Sequence, residues 1–187
     1  MIIKMVVIMK GQIAMNETLK ILRERRSIRK YQSRQIEEEA LREILDAGTW
    51  AATAKGIQSA VMVAVQDPQT IARMSHLNAE VWGRSSVDPF YGAPTVVVVL
   101  ADGRENNWLQ DGSLVMGNLM TAAWSLGIGS CWINRAMEVF DQPAGKELLK
   151  AWGLPEYYRG VGNCILGYID GEIPKPAPRK ADYIKRV

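Results

Sequence analysis

This sequence predicts a fold that contains both helices and strands, because the two patterns mix along one continuous chain. Apolar, partly β-branched runs at 60–65 and 95–101 are typical of buried strands, and the second contains four consecutive valines. The longest helical pattern covers 111–126, where apolar and small residues share one broad face. No change in composition divides the 187 residues, so 15–187 is predicted to be a single domain.

Residues 1–14 are interpreted as an N-terminal extension, because Met15-Asn16-Glu17 resembles a second possible start of the chain. The apolar run at 5–9 is shorter than the core of a signal peptide and far shorter than a membrane span. The extension is a candidate for an added edge strand. With no other targeting signal in the sequence, the cytoplasm is the expected location.

The first two helices are bounded by recognisable end residues. Asn16 can cap a helix at 17–24 by accepting a hydrogen bond from its first turn. The next helix is predicted at 36–47, and Gly48 stands where a C-terminal glycine would end it.

The strand at 60–65 leads into a third helix. Asp67 supplies the N-cap of this helix and Pro68 its first-turn proline. A loop rich in turn residues at 85–94 then precedes the valine-rich central strand.

Beyond the long helix, the sequence predicts shorter elements and an unstructured end. A strand is expected at 130–133, a short helix near 144–152 and a last strand at 162–169. The tail at 174–187 is proline-rich and basic, and has too few apolar residues to fold by itself.

Composition excludes several classes of function. Apolar residues make up 48% and charged residues 23%, and a net charge of +3 is too mild to indicate a nucleic-acid partner. The two cysteines lack CxxC spacing, so neither a metal site nor a disulfide framework is predicted. His76, the only histidine, leaves little material for a metal site or a catalytic triad, and is expected on a helix surface.

A basic cluster near the front of the chain is the main candidate for a binding site. Arg25-Arg26-Ser27-Ile28-Arg29-Lys30 places four cations and one hydroxyl within six residues, directly after an amphipathic run. Guanidinium groups bind phosphate oxygens bidentately, and a serine hydroxyl adds a neutral donor. The cluster therefore fits either a phosphate site or a solvated basic turn.

Glycine-rich nucleotide motifs do not compete with this cluster. Gly127-Ile128-Gly129 and Gly160-Val161-Gly162 both lack the strand–turn–helix context of a dinucleotide fingerprint, and no P-loop motif is present. A phosphate site in this chain would have to consist of side chains.

The cluster resembles the opening motif of the nitroreductase family of FMN enzymes, and three later stretches continue the resemblance in order. Thr53, Ala54 and Gln58 resemble the family's loop after the second helix, although Ala52 replaces its usual proline. The stretch 111–133 is similar to the long family helix and the segment after it. Gly167-Tyr168 and the later Arg179-Lys180 resemble the family's ending.

The resemblance implies a nitroreductase-like α+β fold, with a central mixed sheet flanked by helices, in an intertwined homodimer that holds FMN at its interface. It implies no metal and no catalytic side chain, since the flavin N5 carries the chemistry. The residues it assigns to FMN binding are Arg25, Arg26, Ser27, Arg29, Thr53, Ala54, Lys55, Cys131, Trp132, Ile133 and Arg179.

The implied reaction is a ping-pong cycle in which NADH or NADPH gives a hydride to FMN and a flat nitroaromatic, quinone or similar acceptor then takes it. Lys55 or an arginine would stabilise the anionic reduced flavin. Trp82, Phe90 and Tyr91 are candidates for stacking on the acceptor or, equally, for core packing.

Two alternatives remain open. The first is a specialist on the same fold, such as a dehalogenase or a flavin-cleaving enzyme, although the short 82–94 segment leaves little room for the lid that such specialists carry. The second is a non-enzymatic protein that binds flavin or another small ligand, because the loop at 53–60 departs from the family pattern.

Overall fold

The computed structural model of this chain describes residues 16–187, so the extension predicted at 1–14, with its candidate edge strand, lies outside the described residues. Over this range the helices and strands follow in the order α1 Glu17–Glu24, α2 Glu38–Thr49, β1 Ala60–Val65, α3 Pro68–Trp82, β2 Thr95–Asp102, α4 Trp108–Ser125, β3 Ile128–Ile133, α5 Ala136–Phe140, α6 Pro143–Ala151 and β4 Tyr158–Tyr168.

The four strands form one sheet in the order β1-β2-β4-β3, and each neighbouring pair is antiparallel. Parallel pairing enters at the outer edge of β3, where Ser27 of the segment after α1 bridges to Ser130. The α+β class is therefore confirmed. The mixed character of the sheet comes from this bridge alone among the described pairings.

Helices cover both faces of the sheet, and β2 shows this most clearly. Val96 and Val98 pack into the core beneath α3, α5 and α6, whereas Val97 and Val99 pack into the core beneath α2 and α4. This alternation is the period of two that an extended strand imposes. All four valines are fully buried, as the consecutive apolar run predicts for a central strand.

Two predicted helix caps are confirmed by hydrogen bonds. The amide of Leu19 donates to Oδ1 of Asn16 at 2.9 Å, and the amide of Thr70 donates to Oδ2 of Asp67 at 2.7 Å. Gly48, by contrast, lies inside the last turn of α2 and does not follow it. A Cβ at Gly48 would lie 2.5 Å from Sδ of Met62, so this glycine allows α2 to approach β1.

Candidate functional site

The basic segment runs in extended form along the free edge of β3. The amide of Ile28 donates to the carbonyl of Ser130 at 2.9 Å, and Tyr31 bridges antiparallel to Ile169. Because successive side chains of an extended segment point to opposite sides, Arg25, Ser27 and Arg29 share one side.

All three side chains lie close enough to the thiol of Cys131 to influence its pKa. Burial raises the pKa of Cys131, and Arg29, the hydroxyl of Ser27 and Arg25 oppose that shift in decreasing order. The net direction is upward, so the thiol stays protonated and neutral near pH 7. Because the thiol is neutral, Cys131 does not balance the positive charges of Arg25 and Arg29.

Arg25 carries a further sign of a missing partner. Its Nη1 is buried, yet no hydrogen-bond acceptor among residues 16–187 reaches it. A buried guanidinium nitrogen without a partner is costly, because its hydration is lost and not replaced. An anion bound beside Arg25 would supply the missing acceptor.

Arg26 is placed differently from its neighbours. Its Nη1 donates to the carbonyls of Arg23, at 2.9 Å, and Arg25, at 2.7 Å. These bonds close the turn after α1, and alternation puts the side chain on the opposite side from Arg25 and Ser27. In a single chain, Arg26 therefore supports the shape of the segment.

A cavity of about 190 Å³ joins the basic segment to the end of β3. It is lined by Arg29, Trp82, Pro89, Tyr91, Trp132, Ile133, Asn134 and Arg135. Trp82 and Tyr91 thus lie where a flat ligand could reach them, whereas Phe90 is 1% exposed and belongs to the core. Cys131 is equally buried and is not among the residues that line the cavity.

The loop that precedes β1 is held by one carboxylate, Asp111 in the first turn of α4. Asp111 accepts hydrogen bonds from Oγ1 of Thr53 at 2.9 Å and from the amide of Ala54 at 3.0 Å, with Oγ of Ser59 at 3.5 Å. Lys55, which follows, is exposed and adopts a left-handed backbone with φ of 55°. The hydrogen bonds to Asp111 therefore hold a loop that exposes Lys55, which forms no ion pair with any carboxylate among residues 16–187.

Among residues 16–187, no hydrogen bond or ion pair joins this loop to the basic segment. The loop leads into β1, the basic segment runs beside β3, and β2 and β4 separate these two edges. At roughly 4.8 Å per strand, the edges lie about 14 Å apart. Arg179 stands in an exposed tail, where its neighbours lining a surface cavity are Tyr183 and Ile184.

The structure thus unites part of the predicted site and leaves part of it separate. Arg25, Ser27 and Arg29 lie beside Cys131, Trp132 and Ile133 at the β3 edge. The loop residues Thr53, Ala54 and Lys55 instead precede β1, and Thr53 and Ala54 are bonded to Asp111 of α4. Three residues with clear roles were not predicted, namely Asp111, Arg135 and Asn78. Only Asp111 left a signal, as an acid in the first turn of a long helix.

Residues 16–187 contain neither a membrane-spanning helix nor a cluster of metal ligands. We find no helix in that range with both the length and the apolar character needed to cross a membrane. In the same part of the chain, no three His, Cys, Asp or Glu side chains come together to hold a metal ion.

Comparisons with known proteins identify the family of this chain. The sequence profile of the nitroreductase family matches residues 22–168, and the chain belongs to that family. A curated protein of Archaeoglobus fulgidus, named provisionally as an NADH dehydrogenase/NAD(P)H nitroreductase, is 34% identical over 82% of this chain and 86% of its own length.

Solved structures show the same fold. A nitroreductase with bound FMN from Bacteroides fragilis superposes with a TM-score of 0.85 at 29% identity, covering 92% of this chain and 99% of that one. A nitroreductase with bound FMN from Desulfitobacterium hafniense gives 0.82 at 27% identity, with the same coverage. The nitroreductase-like fold predicted from the sequence is therefore confirmed.

Proposed function

We propose that this protein is an NAD(P)H-dependent FMN oxidoreductase that reduces a flat acceptor, such as a nitroaromatic compound or a quinone. The observation that carries the proposal is the buried Nη1 of Arg25, which has no hydrogen-bond partner among residues 16–187 and lies beside Ser27 and Arg29 at the β3 edge. Membership of the nitroreductase family and the FMN bound in two solved relatives support FMN as the missing anion.

The residues at the β3 edge fit this cofactor. Arg25 and Ser27 would hold its phosphate through charge-assisted and neutral hydrogen bonds, with Arg29 beside them. Trp132 and Ile133 line the adjoining cavity, which offers apolar surface for a planar ring system. The chemistry supplied by bound FMN is acceptance of a hydride from NADH or NADPH and its delivery to an acceptor, in alternate half-reactions.

The chain's own contribution is binding, orientation and charge. Arg29 and Lys55 are cations that would stabilise negative charge developing beside them. Cys131 is buried and its thiol is protonated, so we assign it no nucleophilic role. We infer that the two substrates use the same cavity in turn, as a ping-pong cycle requires.

We further propose that the working form is a homodimer in which the loop of one copy completes the site at the β3 edge of the other. The separation of the loop from that edge within one chain supports this arrangement. Large apolar side chains near the loop are also exposed, with Trp50 at 80%, Leu114 at 50% and Ile57 at 46%. A second copy would cover them. The cytoplasmic location stays a prediction.

The dimer can be tested by placing a charge on the exposed face of α4. We expect Leu114→Asp to shift the protein from dimer to monomer and to lower its FMN content, because a carboxylate buried at an apolar interface is strongly unfavourable. Size-exclusion chromatography with light scattering measures the mass of the wild-type protein and of the variant. Val87→Asp, in a loop on the other side of the sheet, is the matched control and should remain dimeric.

The function itself is tested by the absorbance spectrum of the purified protein, recorded without oxygen before and after addition of NADH or NADPH. We expect the two visible bands of oxidised flavin, their loss with at least one donor and their return with a nitroaromatic or quinone acceptor. A colourless protein that takes up no added FMN would refute the proposal.

A further inference from the structure

Arg135 is a cation at the cavity that the FMN assignment does not use. It follows β3 and precedes α5, and it lines the cavity together with Arg29 and Asn134. Its backbone is left-handed, with φ of 72°, a conformation that is costly for a residue with a long side chain. The surrounding contacts must therefore hold it there.

Those contacts are specific. Nε of Arg135 donates to Oδ1 of Asn78 at 3.0 Å, and Nδ2 of Asn78 donates to the carbonyl of Asn134 at 2.8 Å. Asn78 is 1% exposed, so this clamp is well shielded from water. The guanidinium carbon of Arg135 lies 4.5 Å from the ring centre of Trp82, within the range of a cation–π contact.

Only one edge of the guanidinium is used by this clamp. Among residues 16–187, no hydrogen bond reaches the two terminal nitrogens of Arg135, and no carboxylate lies within 4 Å of it. The lining of the cavity contains no Asp or Glu. The nearby carboxylate of Asp88 is occupied by the hydroxyl of Ser75 and by the amides of Phe90 and Gly92.

We propose that Arg135 selects acceptors that carry a carboxylate, so that the preferred substrate of the acceptor half-reaction is a flat aromatic acid. This inference rests on the proposed function. The free edge of a guanidinium matches the two oxygens of a carboxylate, and Trp82 and Tyr91 offer flat walls for the ring that bears it. The hydrogen bond from Arg135 to Asn78 orients the guanidinium before the acceptor binds.

The test compares two acceptors of the same shape, 4-nitrobenzoate and 4-nitrobenzamide, which differ in charge. We expect the wild-type enzyme to show a higher kcat/KM for the acid. In Arg135→Gln, the ratio of the two kcat/KM values should fall by about tenfold to a hundredfold, the range for loss of a charge-assisted contact. Arg135→Lys keeps the positive charge but not the planar pair of donors, so its ratio should lie between those of the wild type and Arg135→Gln.

Arg84→Gln is the matched control. Arg84 lies 4.8 Å from the ring centre of the same Trp82, but it does not line the cavity. Its removal changes the charge near Trp82 without touching the proposed site, so the ratio should stay at the wild-type value. An equal fall in Arg84→Gln would overturn the assignment to Arg135.

Binding gives a readout that is independent of turnover. Isothermal titration of the flavin-loaded protein with benzoate and with benzamide, neither of which has a nitro group to reduce, should show a preference for benzoate that Arg135→Gln abolishes. The inference is overturned if the wild-type protein prefers neither 4-nitrobenzoate over 4-nitrobenzamide nor benzoate over benzamide. It is also overturned by a loss of FMN in Arg135→Gln and Arg135→Lys, since Arg135 would then be a cofactor residue.

Two other outcomes are separated by the same experiments. If Arg135→Gln instead changes kcat/KM for NADPH and leaves the ratio of acceptors unchanged, the anion is a phosphate of the donor and the inference is wrong. If the wild type holds FMN but reduces neither nitro compound nor any quinone, the proposed function has failed. Benzoate binding would then still report on Arg135.

Discussion

Replacement of Arg25 by alanine is expected to weaken FMN binding by about 1.5–3 kcal/mol, or roughly tenfold to 150-fold in Kd. The physical reason is the buried Nη1, which has no acceptor within residues 16–187 and would find one in the cofactor phosphate. Removal of the guanidinium leaves that phosphate with one charge-assisted contact fewer. Fluorescence titration of the apoprotein with FMN measures the change in Kd directly.

Lys30→Ala is the matched control for Arg25→Ala. Lys30 belongs to the same segment but is exposed, and its Nζ lies 3.0 Å from Oδ2 of Asp170. Exposed ion pairs contribute little to stability, so this variant removes one positive charge with little other effect. An equal loss of FMN affinity in both variants would mean that Arg25 acts only through net charge.

Replacement of Asp111 by alanine is expected to lower the free energy of unfolding by about 2–4 kcal/mol. Asp111 is buried and accepts the hydroxyl of Thr53 and the amide of Ala54, and neither donor has another acceptor close by in the described contacts. The loop should loosen as well, so we expect FMN affinity to fall together with stability. Urea unfolding followed by tryptophan fluorescence measures the first effect.

Asp111→Asn separates the shape of this side chain from its charge. The amide oxygen can still accept from Ala54, and the hydroxyl of Thr53 can rotate to accept from the amide nitrogen. We therefore expect a smaller loss of stability than in Asp111→Ala. If Asp111→Ala unfolds at the same urea concentration as the wild type, the carboxylate does not hold the loop.

The elements of the fold that could be predicted are those with a local signal. The strand at 60–65 is short, apolar and bounded by turns, and it was predicted with its observed limits. α5 was missed because five residues are too short to show a helical period. The last strand begins at Tyr158 rather than at 162, since pairing with β2 continues past a bulge between Val99 and Leu100 that only the folded sheet reveals.

The site was predictable where its residues are adjacent in sequence. Arg25, Ser27 and Arg29 stand out because their segment concentrates four cations and one hydroxyl within six residues. Arg135 and Asn78 are 57 residues apart, and their hydrogen bond depends on the packing of α3 against α5. No local pattern could have paired them. The separation of Thr53 from the β3 edge likewise follows from strand order, which a sequence does not display.

A mixed dimer tests the proposal that each FMN site draws on two chains. One chain carries Arg25→Ala and the other carries Lys55→Glu, which reverses the positive charge of the exposed Lys55 on the loop. Each variant alone should give dimers with two defective sites. Chains with different affinity tags allow the mixed dimer to be purified by two successive columns.

In the mixed dimer, both lesions fall in one site and the other site receives the intact half of each chain. We therefore predict that it holds tightly half of the FMN bound by the wild type, and that this half is bleached by the nicotinamide donor. If each site were built from a single chain, every site in the mixed dimer would carry one lesion. If the mixed dimer retains no more FMN than the two variants alone, the sites do not draw on two chains.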